Sequence, residues 1–458
     1  MASMMQFIRN ILNLKDVVIE DVRFSDDLST NFNVIPELEI ILRPTKYKQK
    51  IWPESKRKCS GYDYHAQDYS RWRAPDIWGL KVYLLYKPVR VYCEHCNQVL
   101  TEAVPWAFRD STFTKDFEKY ATFLALNINK LIASKFLRID WKTVGRCISR
   151  VREYLEPDPT KRYEGLVEIG IDETSYKKGH NYITTVVDLQ KNTIVWVGIG
   201  HSKETLSQFF ELLTLEQRSS IQTVAGDGAR WIDACINQYI PHATRVIDKF
   251  HVVSWAQEAL DNLRKDRRRE ILDKMQELME EIKEEGLSEK EESKKLEALN
   301  KVQKQANAIK GATYALGKAP ENLTENQQIK LEYLTKTDSR LFTGYKIKEY
   351  LRLILNLDDP DKAEIELDHF FMRASHCKNP HFKNLAYKIR RHKDNILNTI
   401  RTRLSSAKVE GFNNKIKLLI RKAYGFRNIQ NMIDLIMLQC SNLSLQLPNR
   451  SKEWFSLG

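Results

Sequence analysis

Three acidic side chains in this sequence are of a type and in a setting to hold a hard metal ion. Asp172 ends the run Val167-Glu168-Ile169-Gly170-Ile171-Asp172, Asp227 stands between Gly226 and Gly228, and Glu410 lies near the start of Val409-Glu410-Gly411-Phe412-Asn413-Asn414-Lys415-Ile416-Lys417. Carboxylate oxygens suit Mg²⁺ or Mn²⁺ and not softer metals. In a two-metal arrangement with ions roughly 4 Å apart, one ion would activate an attacking water or 3′-hydroxyl and the other would stabilise the leaving oxygen of a phosphodiester. The three acids are far apart in the chain, so their spacing alone says little.

The elements that must position them can be read from periodicity. Val167, Ile169 and Ile171 alternate with Glu168, Gly170 and Asp172, which predicts a strand with a carboxylate at its carboxyl end. Tyr182 to Leu189 and Thr193 to Gly200 read as two more strands joined by a hairpin-length turn at Gln190-Lys191-Asn192. A helix follows, then a strand from Ile221 to Ala225 that delivers Asp227, a helix from Trp231 to Tyr239, and a strand from Ala243 to Ile247. Three antiparallel strands, a helix, a fourth strand, a helix and a fifth strand is the order of a ribonuclease H-like sheet, an α/β fold that places acids at strand ends. Asp248 and His251, just after the fifth strand, are candidates for an auxiliary or local hydrogen-bonding role.

The last acid must arrive on a later helix, because residues 252–401 are almost wholly helical in pattern. Ile271, Met275, Leu278, Met279 and Ile282 form one apolar stripe and Leu296, Leu299, Val302, Ala306 and Ile309 another, as in a helical hairpin. On the helix carrying Glu410, helical spacing groups Glu410, Asn413, Asn414, Lys417 and Arg421 on a polar face opposite Phe412, Ile416, Leu419 and Ile420. An acid followed by amides and bases is what a metal-bound phosphodiester asks for, with the asparagines and cations toward DNA phosphates.

The rest of the chain bounds the class. Its 458 residues allow two to four domains, and a net charge of +13 favours an anionic partner, nucleic acid first among them. No apolar run approaches membrane-spanning length. Seven cysteines without a recognisable secretory leader suggest a reducing, cytoplasmic setting, where a close pair binds metal more readily than it forms a disulfide. Cys93-Glu94-His95-Cys96 is one such pair, and a structural Zn²⁺ site needs four ligands. Only Cys59 stands upstream, with Lys56 where its partner would be, so the site is either completed by another group such as His65 or His95 or is empty. Arg71, Trp72, Arg73, Trp78 and Lys81 would either touch a nucleic-acid backbone or fill a small core. Further on, Ile128 to Lys135 and a helix capped by Asp140 fit a helix-turn-helix presenting Lys142, Thr143 and Arg146 to the major groove, although a plain three-helix bundle has the same periodicity. Lys177 and Lys178, in the turn after the first core strand, are further candidates for phosphate contacts.

The chain resembles the ISL-three family of bacterial insertion-sequence transposases. The matching residues are Ile171-Asp172-Glu173-Thr174-Ser175-Tyr176-Lys177-Lys178-Gly179-His180, Asp248-Lys249-Phe250-His251-Val252-Val253, and Glu410-Gly411-Phe412-Asn413-Asn414-Lys415-Ile416 through Tyr424-Gly425-Phe426. The resemblance implies a zinc-ribbon-like module, a helix-turn-helix and an Asp-Asp-Glu core of the ribonuclease H-like class interrupted by an all-helical insertion. It makes Asp172, Asp227 and Glu410 the catalytic acids. The corresponding division is an N-terminal segment (1–52), the zinc-ribbon-like module (53–110), the helix-turn-helix (111–156), the first part of the core (165–251), the insertion (252–401), the final acidic helix (402–445) and a tail (446–458). It also implies end and target double-stranded DNA as partners, a homodimer or larger assembly on that DNA, and work at the nucleoid. A nuclease without strand transfer and a catalytically silent DNA-binding regulator are the alternative classes.

Overall fold

The computed structural model describes residues 2–25, 37–63, 68–283, 289–404 and 407–448. It is a mixed α/β protein. Helix α1 (Ala2–Ile11) packs Ile8 into a core under a four-stranded sheet of β1 (Val17–Phe24), β2 (Leu38–Pro44), β4 (Ser70–Ile77) and β5 (Leu80–Tyr86), ordered β1-β2-β5-β4. Because β2 pairs in parallel with β5, strands from both sides of the expected boundary at 52/53 share this sheet. Trp72 and Arg73 are buried in it, with Arg73 bonded to Asp76, while Arg71 pairs with Glu37 and Glu39. Most of the arginine and tryptophan set is therefore structural, and Trp78 is left fully exposed. A second small sheet, β3 (Ser60–Asp63), β6 (Arg90–Cys93) and β7 (Gln98–Thr101), carries the Cys93 to Cys96 knuckle between β6 and β7.

Three helices follow: α2 (Lys115–Asn127), α3 (Lys130–Leu137) and α4 (Trp141–Leu155), capped by the side chains of Thr114, Asn129 and Asp140. Arg138 takes a left-handed backbone to turn the chain between α3 and α4.

The central sheet comprises β8 (Glu168–Lys177), β9 (Asn181–Asp188), β10 (Thr193–Ile199), β11 (Thr223–Gly226) and β12 (Thr244–Ile247), in the order β10-β9-β8-β11-β12. β8, β9 and β10 are antiparallel neighbours, whereas β8, β11 and β12 run parallel. Alternation on β8 explains the two covered faces. Ile169 and Ile171 join Phe209, Phe210 and Ile232 from α5 (Lys203–Leu212) and α7 (Arg230–Tyr239), with the short α6 (Leu215–Ser220) between them. The opposite face packs on the last two helices, α16 (Ala407–Lys422) and α17 (Ile429–Cys440), through Val409, Phe412, Ile416, Met432 and Ile436.

Between β12 and α16 lies a helical body with its own core: α8 (Lys249–Lys283), α9 (Glu289–Gly311), α10 (Thr313–Gly317), α11 (Glu325–Thr337), α12 (Ser339–Ile354), α13 (Pro360–His376), α14 (Pro380–Arg391) and α15 (Lys393–Thr402). It returns to the sheet at β12, an edge strand. There Thr399 accepts a hydrogen bond from the Ile247 amide (3.1 Å) and donates one to the Ile247 carbonyl (2.6 Å), closing an otherwise open edge. No helix among the described residues is long and apolar enough to cross a membrane.

Candidate active site

Asp172 is not at the end of its strand, as alternation alone predicts. β8 runs on to Lys177 because residues 173–177 continue to pair with β9 as a two-stranded ribbon, with Ser175 opposite Tyr182. On its other side, pairing with β11 stops at Gly226 opposite Ile171, so Asp172 stands where the parallel part of the sheet ends. The next residue of the β11 segment is Asp227. Neighbouring parallel strands lie about 4.8 Å apart and paired residues point to the same side, so this register sets Asp227 beside Asp172.

Each acid is fixed by its surroundings. The Asp172 carboxylate accepts hydrogen bonds from the Glu173 amide (2.7 Å) and from the Asn413 side-chain amide on α16 (2.5 Å), and Asn413 itself accepts from Thr174 (2.6 Å). Asp227 accepts from the Ala229 amide (3.0 Å), and its backbone carbonyl is held by Arg245, a buried guanidinium that also donates to the Val246 carbonyl and pairs with Asp233. Two glycines permit close approaches here. A Cβ on Gly170 would stand 2.5 Å from Val409, so only glycine lets α16 lie against β8. One on Gly228 would stand 2.6 Å from Trp255 and 3.3 Å from His392 Nε2, side chains brought from the helical body.

Glu410 is in the first turn of α16, between the two residues that dock this helix on β8, and its side chain is exposed. Asp172 and Asp227 are thus neighbours, and Glu410 is carried on the helix whose Val409 and Asn413 touch β8. Among the described residues, no three metal-ligating side chains are close enough together to hold an ion. Glu173, not singled out from the sequence, is a further acid at this place, with one carboxylate oxygen buried and unpartnered. Burial first, then the charge of Asp227, pushes the Glu173 carboxyl above its ordinary range. Asp172 is raised too, chiefly by burial and then by Asp227, against the pull of the Glu173 amide, His251 and the Asn413 amide. No lysine or arginine forms an ion pair with Asp172, Glu173 or Asp227 among the described residues. Partly desolvated carboxylates without a direct lysine or arginine ion pair fit a bound cation.

A family model described as "Transposase" matches residues 169–436. The chain is 36% identical over 437 residues to the "Transposase for insertion sequence element IS1557" of two Mycobacterium tuberculosis strains, CDC 1551 / Oshkosh and ATCC 25618 / H37Rv, covering 95% of this chain and of each relative. It is 26% identical over 395 residues to the "Transposase for insertion sequence element IS1001" of Bordetella parapertussis, covering 85% of this chain and 88% of that one. The chain belongs to the ISL-three family of insertion-sequence transposases.

Other candidate residues of this transposase fall in three groups. Lys142 and Arg146 on α4 are exposed, and Arg146 donates to the half-buried Thr143 (3.1 Å). Lys177, Lys178, Asn414, Lys417 and Arg421 are exposed as well. Asn413 is not on that polar surface. It is 7% exposed, on the sheet-facing side of α16 four residues after Val409, and its amide is committed to Asp172 and Thr174. Asp248 caps α8 through the Phe250 amide (3.1 Å), a structural role, whereas His251 in the first turn of α8 draws down both Asp172 and Glu173.

In the small N-terminal sheet of the transposase the thiols of Cys59, Cys93 and Cys96 interact with one another. Amides of the knuckle, Cys96 foremost, lower the Cys93 thiol, while burial raises that of Cys59. Lys56, at the place of the missing cysteine, turns its ammonium to the Pro53 carbonyl (2.5 Å). His95 is exposed, and His65 lies outside the described residues.

Proposed function

We propose that this DNA transposase works by divalent-cation-dependent phosphodiester hydrolysis at the ends of its element, followed by transfer of the freed 3′-hydroxyl to target DNA, with Asp172, Asp227 and Glu410 as the catalytic acids. The observation that carries this reading is the register pairing of β8 and β11, which aligns Asp172 and Asp227 on neighbouring strands with no lysine or arginine ion-paired to either carboxylate among the described residues. The strand order β10-β9-β8-β11-β12, with an acid-bearing helix packed against β8, supports a ribonuclease H-like core.

Asp172 and Asp227 would hold Mg²⁺ or Mn²⁺, with Glu410 supplied by α16 and Glu173 available alongside. The cation, when bound, supplies Lewis acidity toward the attacking and leaving oxygens. Asn413 orients the Asp172 carboxylate, and Arg245 fixes the backbone beneath Asp227. His251 offsets part of the negative charge that the acids share.

Lys177, Lys178, Asn414, Lys417 and Arg421 are proposed contacts to DNA phosphates. Helices α3 and α4 act as a helix-turn-helix through Lys142, Thr143 and Arg146. Cys59, Cys93 and Cys96, with His65 or His95, are the proposed ligands of a structural Zn²⁺, around which the three thiols would have to draw closer. We place the transposase in the cytoplasm at the nucleoid, acting as a dimer or larger assembly on DNA.

The test is cleavage of the short inverted repeats flanking the coding region in the presence of Mg²⁺. Wild type should cut and then join these ends to target DNA, and Asp227→Asn should do neither. Equal activity in the two overturns the assignment, and cleavage without joined products reduces the protein to a nuclease.

A further inference from the structure

A cavity of about 720 Å³ lies between the α3–α4 unit, the far end of β8 and the turn after α16. Its walls are aromatic and basic. Trp141, Tyr176 and Phe426 are apolar surfaces, Lys130, Lys177 and Arg427 are the charged ones, and no aspartate or glutamate among the described residues lines it. Three cations surround the Trp141 ring, with Lys130, Arg427 and Lys142 at 5.0, 5.8 and 6.0 Å from its centroid. At the rim, Tyr424 is 88% exposed and has a left-handed backbone (φ 53°), followed by Gly425 (φ 89°). That is a strained way to end α16 for a tyrosine, and its effect is to leave an aromatic face uncovered beside the cavity.

The cavity is continuous with the proposed active site along one strand. Asp172 and Thr174 share a face of β8 and Tyr176 follows at a register shift between Ser175 and Lys177, so Tyr176 lies at most about 13 Å from Asp172 at roughly 3.3 Å per residue. Helix α16 follows the same course, from Asn413 at Asp172 to Tyr424 at the rim. Measured at the B-form rise of about 3.4 Å per nucleotide, that distance is about four nucleotides.

We propose that this cavity holds an unpaired base of the transposon-end strand, within about four nucleotides of the bond that is cut. This rests on the assignment of Asp172 and Asp227 as the site of cleavage. The flat faces of Trp141 and Tyr424 stack on a base without reading its identity, and Lys177 and Arg427 take the flanking phosphates, while Lys130 is held by the Asn431 side chain (3.0 Å). The stacking offsets the cost of taking a base out of the duplex, and the opened strand can then bend into the acids. A second copy of this chain would have to present anionic groups to the same three cations.

The test uses full-length protein and duplexes of the flanking inverted repeat carrying 5-iodouracil at one position at a time. Irradiation is done in EDTA, so no cleavage is required, and cross-linked peptides are mapped by mass spectrometry. One position, no more than about four nucleotides from the cut, should cross-link to Trp141 or Tyr424. Tyr424→Ala, an exposed position, should keep the wild-type melting temperature and lose that cross-link at least fivefold. 2-Aminopurine at the same position should report an unpaired base. Absence of any cross-link to these residues, or 2-aminopurine fluorescence as low as in free duplex, overturns the proposal. So does a Tyr424→Ala variant that loses self-association while its cross-links stay unchanged, which would assign the cavity to a second copy. The two readings fail separately. Full cleavage by Asp227→Asn removes the catalytic assignment and leaves the cross-link, whereas an inert Asp227→Asn with no cross-link removes the cavity alone.

Discussion

Two groups of carboxylates in this transposase are withdrawn from water, and the fold gives one group arginine partners and leaves the other without a direct ion pair. Glu118, in α2, is fully buried, and its charge is met inside the fold. Arg150 donates to both of its oxygens (3.0 and 2.8 Å) and Ser111 donates a third hydrogen bond. Asp434 on α17 is handled alike by Arg152 and Ser149, and Asp338 at the start of α12 by Arg267. At the ends of β8 and β11 the chain instead assembles Asp172, Glu173 and Asp227 with no arginine or lysine ion-paired to them among the described residues; burial raises all of Glu118, Asp172 and Glu173, but only at the strand ends does a neighbouring carboxylate, Asp227, add to the rise. The fold can neutralise a buried acid by a direct ion pair and forms none with these three among the described residues, where His251, Arg245 and Lys388 act on them only at longer range.

This contrast can be broken or sharpened by substitution. The largest effect is expected from Asp172→Asn, which should lower end cleavage by about 10³-fold or more, the scale of several kcal/mol of lost transition-state stabilisation. It should leave the urea midpoint unchanged or higher. Arg150→Ala should do the reverse, costing about 3–5 kcal/mol of stability in denaturant titration because Glu118 is left buried and unpaired. If the two variants lost similar stability, the contrast between the regions would be gone. Asn413→Ala, which frees the Asp172 carboxylate to rotate, should reduce cleavage about 10–100-fold with the fold intact. The smallest effect is expected of Glu173→Gln. Removing one of three clustered charges should raise the melting temperature of the metal-free protein by about 2–4 °C, read by calorimetry. A lower melting temperature would mean that Glu173 has a stabilising partner.

The central sheet was legible because its signals are local. Alternation located β8, short hydrophobic runs located the other four strands, Gln190-Lys191-Asn192 located the β9–β10 hairpin, and Asp140 caps α4 through the Lys142 amide (2.7 Å). What was missed depends on contacts distant in sequence. The expected boundary near residue 52 gave way to a shared sheet because β2 pairs with β5 across a long stretch of chain. The polar face assigned to α16 included Asn413, since a helical wheel shows which residues are polar and not which are satisfied by a neighbouring strand. Arg245, Trp255 and His392 carried no motif. Their relevance lies in Asp227 and Gly228, and the only sequence trace of it was a glycine in a place where another element had to come close. Asp172 was legible as an acid on a strand, but the continuation of that strand into a ribbon was not.

Whether Glu410 joins Asp172 and Asp227 around one cation is the point most directly open to measurement. Fe²⁺ can replace Mg²⁺, and peroxide then generates hydroxyl radicals that cut the backbone beside the bound ion. Wild-type protein with its end DNA should be cut near 172, 227 and 410, and Asp227→Asn should lose all three cuts together. Cuts near 172 and 227 with none near 410 would contradict the account.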